Sequence, residues 1–127
     1  MYEMTIKGVT YENVVYSDKG YIVQETGTRY SGKYNNKYRV ANTHGEDNNH
    51  THLNSLDVCK AVIHLVQHGK LPRTAQKYII KSCIRLSTDE SYKGKVECLL
   101  KTKMNKGKQA YHDKRVGING HCNRLHA

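Results

Sequence analysis

The sequence predicts an α+β fold, an N-terminal antiparallel β-sheet followed by about three helices packed on one of its faces, with a basic C-terminal tail. Three observations predict it. Residues 1–53 hold short Val- and Tyr-rich runs separated by Gly- and Asn-bearing breaks, which is the pattern of strands and turns. From residue 54 the apolar residues recur at helical spacing. Beyond Asn105 that spacing stops, and the chain becomes basic and Gly-bearing. A chain of 127 residues suits one domain with one modest core. Residues 1–104 are read as that domain, and residues 105–127 as a flexible tail.

The strands come first. Residues 1–7 alternate loosely until Gly8. Residues 9–16 and 21–26 are β-rich, and Ser17, Asp18, Lys19 and Gly20 between them are turn formers, so the two runs pair as a hairpin. A break over residues 27–36 leads to a short strand at 37–42. The polar loop THGEDNN follows, and residues 50–53 return as the last strand.

The helices follow at 55–68, 73–86 and 88–103. Asn54 or Ser55 caps the first, with Asp57 in its opening turn favouring the helix dipole. Its apolar stripe is Val58, Val62, Leu65 and Val66, flanked by Cys59 and Ile63. Gly69 ends it and Pro72 restarts helix. The second helix buries Ala75, Ile79, Cys83 and Leu86, with Ile80 and Ile84 at the border of its exposed face. Ser87 to Glu90 form a capping box for the third, whose inner face is Tyr92, Val96, Leu99 and Leu100 and which Gly94 weakens.

Charge is the strongest functional signal. The net charge is +10. Residues 1–50 balance at six basic and six acidic side chains, residues 51–100 carry eight and four, and residues 101–127 carry seven and one. The positive field therefore belongs to the helices and the tail and implies an acidic partner there. Arg73, Lys77, Lys81 and Arg85 stand at a strict four-residue spacing. On one helix they form a row about 18 Å long with charges about 6 Å apart, near the spacing of phosphates along a strand. Lys101, Lys103, Lys106, Lys108, Lys114, Arg115 and Arg124 add a second basic cluster suited to phosphate backbones. Tyr30, Tyr34 and Tyr38 interleave with Arg29, Lys33, Lys37 and Arg39 and are candidate stacking residues.

The segments YRVAN, HTHLNS and DVCKAVIHLV resemble, over about residues 20–68, the three-stranded-sheet-plus-helix DNA-binding domains of phage integrase arms and plant ethylene-response factors. The resemblance implies a sheet that enters the major groove. The neutral balance of residues 1–50 departs from it, because such sheets are usually basic.

The order His44, His50, His52, Asn54, His64 resembles the HNH nuclease site, but the paired histidines and CxxC pairs of that motif are absent. His64 and His68 lie one turn apart on a polar face with Asp57 and Lys60 and read as exposed surface. His121, Cys122 and His126 could supply three ligands from the tail. We expect no bound metal or other cofactor. No Gly-rich phosphate loop, GxSxG elbow or paired-carboxylate signal is present. Cys59, Cys83, Cys98 and Cys122 form no CxxC pair and read as reduced thiols. With no membrane-length apolar run and no signal peptide, the chain is expected in the cytoplasm. Lys, Asn and Tyr are frequent while Pro is nearly absent, a bias that suits an AT-rich bacterial or phage gene.

The expectation that results is a small non-enzymatic protein that binds nucleic acid, DNA or RNA, or a nucleoprotein complex. The alternative is a phage- or mobile-element-encoded inhibitor of host defence, such as an anti-CRISPR, that binds a protein. An HNH-like nuclease comes third.

Overall fold

A computed structural model describes residues 1–27, 36–45 and 49–116 of the chain, with side chains through residue 104. Five strands form one sheet in sequence order, each antiparallel to its neighbour: β1 (Tyr2–Ile6), β2 (Val9–Asp18), β3 (Tyr21–Glu25), β4 (Tyr38–Asn42) and β5 (His50–Leu53). Three helices follow, α1 (Leu56–Gln67), α2 (Lys77–Leu86) and α3 (Glu90–Val116). The fold is the α+β arrangement that the sequence predicts.

The first two hairpins owe their register to their turns. Ile6 pairs with Val9 and Asp18 with Tyr21, leaving two residues in each turn. Both residues of each pair are left-handed: Lys7 and Gly8 at φ 53° and 79°, Lys19 and Gly20 at 47° and 91°. This is the two-residue turn whose twist matches that of the strands it joins.

Alternation along the strands sorts side chains between two faces. Tyr21, Val23, Val40 and Leu53 point towards the helices and pack with Cys59, Val62, Ile63, Ile80, Cys83, Leu86 and Val96. Ile22 and Ala41 point the other way, yet both are buried. Their cover comes from the first hairpin. The β2 register shifts between Val14 and Tyr16, and Asn13 takes a left-handed φ of 54°. Irregularities of this kind bend a strand. The bend brings Tyr11 and Val14, with Met4 and Ile6, over Ile22 and Ala41 as a second, smaller core. Lys7 Nζ donates to the Thr43 carbonyl at 2.7 Å and ties the hairpin down. α1 packs against β3, β4 and β5, the three strands over which the resemblance to integrase-arm domains is drawn. However, two further strands extend the sheet, and its far face is partly closed rather than open to a DNA groove.

Each helix departs from expectation in an instructive way. In α1 the Ser55 side chain accepts from the Val58 N–H, as predicted, and Gly69 at φ 63° completes a Schellman ending in which the Lys70 N–H donates to the Leu65 carbonyl at 2.8 Å. Its buried stripe is Cys59, Val62, Ile63 and Val66, rotated from the one expected, so Val58 and Leu65 are only partly buried. α2 begins at Lys77, not residue 73. Pro72 is buried, and the Ala75 N–H donates to the Pro72 carbonyl at 3.2 Å, so this stretch is a turn. Packing of α2 against β5, α1 and α3 places its buried side on Ile80, Ser82, Cys83 and Leu86, which removes Ile80 from the surface where it is expected and leaves Ala75 and Ile79 partly buried. In α3 the cap is Asp89, whose Oδ1 accepts from the Ser91 and Tyr92 N–H groups, and not the Ser87 box; Ser87 Oγ accepts from the Asp89 N–H instead. α3 runs to Val116, well past residue 103. Cys59 and Cys83 are buried and free, as expected. Cys98 is in a disulfide, contrary to the expectation of four reduced thiols.

Candidate nucleic-acid interface

α2 and its C-terminal end are held against β5, the end of β4 and the residue before β5 by polar contacts. Thr51 Oγ1 donates to Ser82 Oγ at 3.0 Å, and Asn42 Nδ2 donates to the Leu86 carbonyl at 3.0 Å. Asn49 Nδ2 reaches the Ser87 carbonyl at 3.3 Å. Each is a bond whose loss would strand a partner away from water, so the placement of α2 is strongly specified. On its other sides α2 packs against α1, α3 and β4. One stripe is left to solvent.

That stripe faces β5 across a groove of about 360 Å³. Lys77, Tyr78, Lys81 and Arg85 form one wall. The buried Leu53 and Ser82 form the floor, and His52, Asn54 and Asn36 stand opposite. None of these residues is acidic. Tyr78 is 44% exposed. Lys77 to Arg85 span about 12 Å along the helix at 1.5 Å per residue. Two such charges about 6 Å apart repel by about 0.7 kcal/mol in water before salt screening, and an anion between them relieves that repulsion.

Arg39 adds positive charge beside the groove residue His52. His52 pairs across the sheet with Arg39, and its ring lies 5.3 Å from that of His50. Partial burial, and then the charges of His50, Arg39 and Arg85, hold the His52 imidazole below its ordinary range. A bound anion would reverse the electrostatic part of that shift and favour the proton.

The structure brings together three members of the predicted row, Lys77, Lys81 and Arg85, all exposed. Arg73 is exposed too but sits in the turn before α2, outside the groove lining, because the helix starts later than its spacing suggests. On α3, Lys101 is exposed and Lys103 half-buried. The side chains of Lys106, Lys108, Lys114, Arg115 and Arg124 lie outside the described residues, as do Tyr30 and Tyr34. Tyr38 is half-buried against the main core, with Lys37 Nζ 5.7 Å from its ring centre. Sequence reasoning missed Tyr78 and the β5 wall. Tyr78 was legible in principle, since it precedes Lys81 and Arg85 by three and seven residues and so shares their face. The β5 wall was not, because only the folded chain brings it beside α2.

The histidines are dispersed. The His44 ring meets the Lys19 carbonyl at 2.7 Å, at the β2–β3 turn. The His64 and His68 rings lie 4.6 Å apart on α1. Among the described residues no three His, Cys, Asp or Glu side chains converge as metal ligands would; His121, Cys122 and His126 lie outside them. Comparison with protein-family models, curated proteins and solved structures finds no match, so the functional reading rests on the chemistry of the groove.

Proposed function

We propose that this chain binds nucleic acid through the groove between β5 and α2, without catalysis. The observation that carries the reading is the acid-free wall of Lys77, Lys81 and Arg85, backed by His52 and Arg39. A solvated helix face is ordinarily laced with carboxylates one turn away; Lys93 has such a partner in Glu90 at 3.6 Å on α3. Lys101 and the basic positions after it would extend the contact along a phosphate backbone. Among the described residues no helix is long and apolar enough to cross a membrane. A cytosolic location goes with this proposal.

The test is fluorescence anisotropy with a labelled oligonucleotide over a salt series. Three neutralised phosphates give a log–log slope of roughly −2 for a single strand and closer to −3 for duplex. Absence of binding at low salt would return the row to a solvated face. A protein partner with an acidic surface, such as the target of a phage-encoded inhibitor, would then be the class to pursue.

A further inference from the structure

Resting on the nucleic-acid reading above, we propose that the groove takes an unpaired base against Tyr78, so that the ligand is a single strand rather than a duplex. The groove has three kinds of surface, and a base with its phosphates needs all three. Tyr78 is an exposed aromatic side chain in the groove lining. Bases stack on such rings whatever their identity, because every base has a π-face. Asn36 and Asn54, across the groove, carry amides that both donate and accept, as the edges of bases do. Lys77, Lys81 and Arg85 line the α2 side at one-turn intervals, where consecutive phosphates would run.

Size and surroundings argue against a duplex. About 360 Å³ is near the low end of the ligand-pocket range of roughly 300–1,000 Å³, enough for one ring system. A paired base hides both faces in its stack, and Tyr78 and Leu53 would then meet only sugar and phosphate. A recognition helix in a major groove about 12 Å wide needs a ridge standing clear of its domain. α2 offers no such ridge, because β5 rises beside its one free stripe.

The experiment compares a single strand of about a dozen nucleotides with the duplex of the same sequence, on the parent chain and on Tyr78→Leu, Tyr78→Phe and Lys77→Glu/Lys81→Glu variants. Position 78 is partly exposed and helical, where Leu and Phe are tolerated; circular dichroism confirms the fold. We expect the single strand to bind about tenfold more tightly than the duplex. Tyr78→Leu should lose about tenfold for the single strand with an unchanged salt slope, and Tyr78→Phe should bind like the parent. A strand carrying 5-iodouracil should photocrosslink to the peptide holding Tyr78. If single strand and duplex bind alike and Tyr78→Leu matches the parent, while the double Glu variant loses both, stacking is overturned and the phosphate-binding reading stands. If neither nucleic acid binds the parent, both readings fall.

Discussion

The β2–β3 end of the sheet carries a concavity of about 480 Å³ whose lining includes Met1, Glu12, Asn13, Gln24 and Glu25. The groove between β5 and α2 is smaller, about 360 Å³, and is lined by Lys77, Lys81 and Arg85. Among the described residues, the larger site has two carboxylates and no Lys or Arg, and the smaller has three Lys or Arg side chains and no carboxylate. On the proposed reading a polyanion would be repelled from the first and drawn to the second, so sign of charge would separate them where volume would rank them the other way. Gln24 connects the two regions. Its Nε2 donates to the Glu12 carbonyl at 3.1 Å and its Oε1 accepts from Arg39 Nη1 at 3.0 Å. In that bond Arg39 meets a neutral amide, so its positive charge is not cancelled there and reaches His52.

The comparison breaks most easily at the seat of α2. Asn42→Ala removes the buried donor to the Leu86 carbonyl and should cost about 1–3 kcal/mol in urea unfolding. Thr51→Val leaves Ser82 Oγ without its donor and should cost about 1–2 kcal/mol. Both should also weaken oligonucleotide binding, because the wall they hold shifts. Unchanged unfolding midpoints for both would show that α2 is held by apolar packing alone.

The next effect in size is on pH. The folded pKa of His52 lies below its unfolded value, so the unfolded chain binds the extra proton first. This contribution to stability is complete above about pH 6.5 and is lost as pH falls from there towards the folded pKa. Anion binding works in the opposite sense and takes up a proton, so affinity should rise a few-fold between about pH 7.5 and 5.5. His52→Gln should flatten both trends. A rise in affinity that survives the substitution would place the titrating group elsewhere.

The thiols probe rigidity behind the groove. Burial pushes Cys59 up to about 12 and Cys83, on α2, up to about 11. Neither should react with a thiol reagent near neutral pH until the chain opens. Rapid labelling of Cys83 in the native protein would mean that α2 lifts from β5. The smallest effect belongs to the acidic site: Glu12→Gln with Glu25→Gln should change oligonucleotide affinity by no more than about twofold, as remote, screened charges do.

Much of the fold was legible because local rules decide it. The turn formers Asp18, Lys19 and Gly20, the cap Ser55 and the terminator Gly69 all act within a few residues of themselves. The misses are tertiary or competitive. Burial of Pro72 turned the chain and cost Arg73 its place in the row. Asp89 outcompeted Ser87 as a cap. α3 continued past Asn105 without an apolar stripe, since Lys, Gln and Ala there are good helix formers whatever they face. The curl of the first hairpin hangs on the left-handed Asn13 inside a Val- and Tyr-rich strand, a conformation that no residue pattern announces. At the site, exposure of Lys77, Lys81 and Arg85 followed from spacing. The opposite wall needed β5, reached through a hydrogen bond between residues 51 and 82.

If the β5–α2 groove, and not the net charge of the chain, binds nucleic acid, charge reversal in the groove must outweigh an equal reversal elsewhere. The direct measurement is the affinity of a labelled single strand at about 50 mM salt for the parent, for Lys77→Glu/Lys81→Glu and for Lys93→Glu/Lys95→Glu on α3, a pair with the same change in net charge. The expected loss is about a hundredfold or more for the groove variant and a few-fold at most for the α3 variant. Equal losses from the two variants would contradict it.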